Sequence, residues 1–265
     1  MTIWANCIVK NEENFIWFAI MSVVDYVDKV LVYDTGSKDR TVEIIRKIQE
    51  IRKNKIIFKE IGEVDKYQFT KIRQEMLSKS KCDWILILDG DEVWWEKSIK
   101  SVVNTINQKS DKYESIVVPF YNVVGDIYHY QPQKAGRYEI LEKKGHLTIR
   151  AINTRINGLH VGGAYGSEGY LDENNIPIQQ RSPERILFID APFLHLTHLK
   201  RSRIDTHGKL KYELGISVPE NFLYPEVFYK GRPKIVPSPF KNRSKKYTIL
   251  SLLNTPYRNV KRMIS

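Results

Sequence analysis

Four short apolar runs, each followed by a stretch with helical spacing, organise the first part of the chain. IWANCIV (3–9), VDKVLVYD (27–34), KIIFKEI (55–61) and DWILILD (83–89) read as strands. Between them apolar residues recur at helical spacing from Asn14 to Val27, from about Thr41 to Arg52 and from Phe69 to Ser78. Ser37 or Asp39 is placed to cap the second of these helices. Repeated β-α alternation argues for an α/β fold, a mostly parallel sheet flanked by helices on both faces.

The remainder has a different character. A helix over 99–107 and a strand over 115–124, SIVVPFYNVV, are followed by aromatics, glycines and short β-like pieces up to about residue 195. That pattern predicts a mixed or antiparallel half, closed by a helix over about 202–214. The expected division is a domain over 1–215, made of halves 1–95 and 96–215, and an extension over 216–265. Pro233, Pro237 and Pro239 make the extension read as irregular, with one short amphipathic helix at YTILSLL.

Charge separates the extension from the body. The formal net charge is +11, yet no acidic residue follows Glu226, and ten Lys and Arg residues lie between Val227 and Ser265. Residues 227–265 therefore carry +10 and residues 1–226 about +1. A terminal basic segment suits an anionic surface, and aromatic and apolar residues beside the charges point to peripheral contact with lipid through 227–265 rather than to nucleic acid. No apolar run reaches the ~20 residues that span a bilayer. The opening MTIWANCIVKNEE lacks the basic leader of a signal peptide. Cys7 and Cys82 fall in or beside predicted core strands and read as reduced thiols. Together these features predict a cytoplasmic protein, with peripheral contact at the inner face of the membrane.

Ligands of open parallel sheets collect at the carboxyl ends of strands. Three polar motifs fall there: Val9-Lys10-Asn11-Glu12-Glu13, Asp34-Thr35-Gly36-Ser37 and Asp89-Gly90-Asp91-Glu92. Asp89 and Asp91 are separated by Gly90, which has no side chain to crowd a shared ligand. Their hard oxygen atoms suit Mn²⁺ or Mg²⁺, ions that keep open positions for phosphate oxygens.

CIVKNEENFI, VLVYDTGSKDRTVEII and WILILDGDE, in that order, resemble the nucleotide-binding half of GT-A glycosyltransferases of the family 2 type. The resemblance is close over roughly 1–95, weaker to about 215, and absent from the extension. It implies a Rossmann-like GT-A fold and transfer of a sugar, with inversion, from a nucleotide diphosphate donor, UDP or GDP foremost, to a hydroxyl of a glycan, lipid-linked or protein acceptor. It implies that Val9, Lys10, Asn11 and Glu13 line the nucleotide pocket, that Asp34 with Gly36 meets the base, and that Arg73 reaches toward base or diphosphate. Asp91 would bind the metal, and Asp89 with Gly90 would face the sugar or ribose. The general base would be Glu168 in GGAYGSEGYLDE or Asp172 beyond it; Ser167 stands where relatives carry histidine. A histidine completing the metal site would be His198 or His195, with Arg201 near the diphosphate. Trp94 offers a ring for stacking on a sugar.

Three other readings compete. A phosphatase of the haloacid dehalogenase type places its acidic pair on the first strand rather than the fourth. A metal-dependent nuclease requires a second carboxylate cluster, which the sequence does not display. A non-catalytic protein binding anionic surfaces through its tail has no use for three aligned strand-end motifs.

Overall fold

A computed structural model of the chain describes residues 1–65, 67–163, 168–204 and 211–264. The predicted alternation is present in order: β1 (Ile3–Val9), α1 (Ile16–Val23), β2 (Lys29–Asp34), α2 (Thr41–Ile51), β3 (Ile56–Glu60), α3 (Gln68–Lys79) and β4 (Trp84–Asp89). A short strand β5 (Glu92–Trp94), helix α4 (Glu96–Lys109) and the long strand β6 (Ser115–Val124) come next. Seven strands then follow before the next long element: β7 (His129–Tyr130), β8 (Tyr138–Ile140), β9 (Lys143–Gly145), β10 (Leu147–Asn153), β11 (His160–Gly162), β12 (Gly169–Leu171) and β13 (Ile186–Phe188). The last described elements are β14 (Phe193–His198), β15 (Ile216–Ser217) and α5 (Lys245–Ile264).

The central sheet runs in the order β15-β7-β6-β10-β4-β1-β2-β3. β4, β1, β2 and β3 are parallel, whereas β10 is antiparallel to both β4 and β6. β13 and β14 each pair in parallel with β6, and β5 pairs antiparallel with β14. This is the mostly parallel α/β sheet of the GT-A type with a mixed second half. Strands β1 and β4 are buried along both faces, which explains their near-continuous apolar runs. The chain winds outward from β1 through β2 to β3, then returns to β4 on the other side of β1. That reversal opens a crevice at the carboxyl ends of β1 and β4.

Two expectations need correction. The closing helix over 202–214 is absent from the described residues of that range, 202–204 and 211–214; residues 205–210 lie outside them. The extension is not mostly irregular: α5 runs for 20 residues and contains Pro256. The segment before α5 is also no detached tail. Tyr224, Val227, Phe228 and Val236 belong to the same buried cluster as β1 and α1, because aromatic and branched side chains there bury more apolar surface than the prolines prevent. Cys7 and Cys82 are free thiols.

Glu96, in the first turn of α4, ties this segment to the body. Its backbone N–H donates to Glu226 Oε2 at 2.9 Å, and its carboxylate accepts from Lys230 at 2.7 Å and Lys100 at 3.2 Å. Hydrogen bonds from Lys230 and Lys100 hold the Glu96 carboxyl down at about 2. A depressed carboxyl contributes stability that is complete above its ordinary value, near 4.5, and lost as pH falls toward the folded value. Replacing Glu96 by Gln should flatten the acid limb of thermal stability below that point in scanning calorimetry. Solvent screening by the exposed lysines keeps the loss at neutral pH within ~1 kcal/mol.

Candidate active site

Register brings the three strand-end motifs together. Val9 lies opposite Asp34 across β1 and β2, and Ile8 lies opposite Asp89 across β1 and β4. The first two loops are stitched to each other. Asn11, at φ 55°, donates its N–H to Ser37 Oγ at 2.8 Å and accepts the Lys38 N–H on Oδ1 at 2.8 Å. The Val9 carbonyl accepts the Thr35 N–H at 2.9 Å, and Lys10 is exposed at the strand end. Asp34 is buried and shapes its own turn, accepting the N–H groups of Gly36 and Ser37 at 3.0 and 2.9 Å and the Ser37 hydroxyl. Gly36 has φ +87°, and a Cβ there would lie 2.8 Å from Glu63 Cγ, so the turn admits only glycine without strain.

The acidic rim is buried. Asp91, Glu12 and Glu92 are 4%, 4% and 0% exposed. All three, with Asp89, act electrostatically on the Cys7 thiol, which burial first and these charges next push well up. A Cβ on Gly90 would come 3.0 Å from Glu12 Cγ, so glycine is what lets the β4 turn close against the β1 loop. Crowded buried carboxylates require cations. Arg150, on β10, donates to Asp89 Oδ2 at 3.1 Å and to Glu92, and its guanidinium lies 5.4 Å from the Phe193 ring centroid. Burial nevertheless pushes the Glu92 carboxyl up to about 7, against the pull of Arg150. Arg201 pairs with Glu12 at 2.6 Å; burial, then the Asp91 charge, keeps the Glu12 carboxyl well above its ordinary value.

His195 Nε2 lies 3.6 Å from Asp91 Oδ1. Burial opposes the charged imidazole, but Asp91, Glu92 and Asp89 outweigh it and raise the His195 pKa. His198 is buried at the end of β14, opposite Val124, with a register shift between the two histidines. One ligand atom each from Asp89, Glu92 and His195 lie within 4.8 Å of one another. Glu12 Oε2 is buried with no hydrogen-bond partner among the described residues. Four carboxylates thus meet two guanidiniums and one imidazole, an oxygen-rich donor set that fits a divalent cation.

The segment after β14 straps the first loop. Asn14 donates its backbone N–H to the Arg201 carbonyl at 3.0 Å and its side chain to the Lys200 carbonyl at 2.7 Å. Glu13 accepts the Arg203 N–H at 2.7 Å and the Ser202 hydroxyl at 3.2 Å. Arg201, expected near a diphosphate, is therefore engaged by a protein carboxylate.

On the far side, the β11–β12 hairpin rests on α3, where the Val161 N–H donates to Gln74 Oε1 at 2.7 Å. Arg73 stacks over Phe69 and hydrogen-bonds the buried Tyr170 hydroxyl, whose pKa burial raises. Glu168 is half-buried immediately before β12, while Tyr165 and Ser167 lie outside the described residues. Two expectations fail on geometry. Asp172 accepts the N–H groups of Asn174 and Ile176 at 2.9 Å each and pairs with Arg181, so its carboxylate anchors a turn. Trp94 is 1% exposed and stacks on Phe193 at 5.0 Å, a core position with no face for a sugar.

Sequence reading left Arg150 out of the site altogether and named Glu12 and Glu92 only as members of their strand-end motifs, with no role of their own. The available signals were the acid directly after the DxD pair and a lone arginine in the otherwise apolar strand LTIRAIN.

The sheet order and acidic crevice define a GT-A fold. The structure of S. aureus TarS 1–349 in complex with UDP-GlcNAc superposes with a TM-score of 0.50 at 17% identity, covering 73% of this chain and 58% of that one. Residues 7–173 match the profile of Glycosyl transferase family 2, and the chain belongs to that family. Two curated relatives align in part. The uncharacterized glycosyltransferase MG060 of Mycoplasma genitalium is 30% identical over 119 residues, 44% of this chain and 35% of its own. The TPR repeat-containing protein Synpcc7942_0270 of Synechococcus elongatus is 33% identical over 85 residues, 32% of this chain and 19% of its own. The chain thus spans about a third or less of the length of these relatives.

Removing Arg150 alone leaves Asp89 and Glu92 buried without their cation. Arg150→Met should destabilise the fold by ~3–5 kcal/mol in urea denaturation, and Glu92→Gln added to it should recover part of that loss.

Proposed function

We propose that this chain is a glycosyltransferase that moves one sugar from a nucleotide diphosphate donor to an acceptor hydroxyl, with inversion at the anomeric carbon. The observation that carries the reading is the gathering of Glu12, Asp89, Asp91 and Glu92 at the carboxyl ends of β1 and β4 in a family 2 chain. Arg150, Arg201 and His195 offset their negative charge in part, and a bound divalent cation would offset the remainder.

Asp91 and His195 would hold Mn²⁺ or Mg²⁺, because Arg150 already compensates Asp89 and Glu92. When bound, that ion supplies positive charge beside the diphosphate that departs from the sugar. The stitched loops of Asn11 and Asp34–Ser37 form the floor for the nucleotide, with UDP or GDP the donors proposed. Asp89, half-buried and oriented by Arg150, faces the sugar hydroxyls. Arg73 reaches the same crevice from α3.

Glu168 serves as the general base. It accepts the acceptor hydroxyl proton as that oxygen bonds to the anomeric carbon, while the bond from that carbon to the diphosphate oxygen breaks and leaves its electron pair on the nucleotide. Asp172, engaged by Arg181 and two backbone N–H groups, is not assigned this role. The acceptor is a glycan, a lipid-linked sugar or a protein. A cleft of about 350 Å³ beside Tyr121, Tyr130 and Pro192 offers aromatic faces suited to the C–H face of a sugar.

Calorimetric titration with UDP, GDP, CDP and dTDP, with and without Mn²⁺, tests the donor assignment. One nucleotide should bind strongly only with metal, and Asp91→Asn should abolish that dependence; metal-independent binding of equal strength for all four would refute the reading. Glu168→Gln should leave donor affinity unchanged and lower kcat by ~10²–10⁴-fold in a sugar-transfer assay. An unchanged kcat would remove Glu168 from the chemistry.

A further inference from the structure

Helix α5 is amphipathic the wrong way round for a helix packed on its own protein. Its polar side chains face the body. The Tyr247 hydroxyl donates to the Lys211 carbonyl, and Thr255 Oγ1 accepts the Leu214 N–H at 2.9 Å. Arg258 donates to the Tyr212 carbonyl at 3.1 Å, and Arg262 grips Glu213 through two bonds of 2.7 and 2.8 Å. Ser251 on the same row is fully buried.

The apolar residues face outward. Ile249, Leu252, Leu253, Tyr257 and Val260 are 59, 55, 72, 68 and 56% exposed. At about 100° per residue they cover about 140° of the helix surface, centred opposite the row that grips the body. Exposed Lys245, Lys246 and Lys261 fall on or beside this arc. A large apolar face turned to water opposes folding unless something covers it.

The surrounding charge identifies the cover. No acidic residue follows Glu226. A second copy meeting this face would bring lysines against lysines. No described helix is long and apolar enough to cross a membrane, so the helix can lie on a bilayer and not through it. We propose that α5 rests in the headgroup region of an anionic lipid surface. Its five apolar side chains enter the acyl boundary, and Lys245, Lys246 and Lys261 meet the lipid phosphates. The contact differs from the sequence expectation, since Tyr247 is buried against the body and the lipid-facing row extends to Val260. It goes beyond the sugar-transfer reading and does not rest on it.

Sedimentation of the full chain with vesicles tests the proposal. The protein should pellet with mixed phosphatidylcholine and phosphatidylglycerol vesicles, not with phosphatidylcholine alone, and the bound fraction should fall as salt rises. Leu252→Glu with Leu253→Glu should weaken binding at least ~10-fold, as should Lys245→Glu with Lys246→Glu. Far-UV circular dichroism establishes that each variant is folded. Should the leucine pair fail to fold, Lys245→Gln, Lys246→Gln and Lys261→Gln together provide the decisive measurement through a shallower salt dependence. Equal pelleting with both vesicle types, or none with either, overturns the proposal. So does a dimer that the leucine substitutions convert to monomer, which assigns the face to a second copy. Nucleotide titration of the wild-type chain and the same variants separates the two readings: absence of donor binding by the wild-type chain counts against sugar transfer and leaves the lipid contact untouched.

Discussion

Like-charge crowding at the β1–β4 crevice governs this molecule. Parallel register delivers Asp89 beside Ile8, and the turn at Gly90 delivers Asp91 near Glu12 and Glu92 near Asp89. Four carboxylates in that space repel one another, and desolvation adds to the penalty. The rest of the fold supplies the remedy: Arg150 from β10, His195 from β14 and Arg201 from the strand's sequel. The mixed second half of the sheet and the segment after it thus carry the positive charge that balances this crevice.

The parallel half was legible in the sequence because burial on both faces writes itself as unbroken apolar runs. Residues 115–124 were read with their observed bounds for the same reason. Local pattern was silent on what long-range packing decides. The expected closing helix over 202–214 is replaced, in its described flanks, by irregular chain: Ser202 and Arg203 bond Glu13, and Glu213 pairs with Arg262. The length of α5 was hidden by Pro256 and by an apolar row that follows no core. Within the site, residue types at the strand ends could be read, but their partners could not. Nothing local in LTIRAIN says which carboxylates Arg150 meets, and Asp172 resembles a free acid until its bond to Arg181 is seen. Trp94 illustrates the converse, an aromatic beside a functional turn that serves packing alone.

Two kinds of surface emerge from one charge distribution. The body is nearly neutral overall yet concentrates acid in a buried crevice. The extension concentrates base, spending Arg258 and Arg262 on the body and leaving lysines outward on α5. Net charge alone would describe neither, since the useful quantity is where each sign is held relative to water.

The contact between Glu12 and Arg201 joins residues 189 positions apart. On a ribosome the first four strands emerge long before that arginine, and before Arg150 as well. The nascent sheet can assemble its apolar strands early, but its acidic edge remains electrically unbalanced until late synthesis brings the counterions. Completion of the crevice is thereby coupled to production of nearly the whole chain, so a truncated product would carry the strands of the acidic crevice without the means to hold it shut.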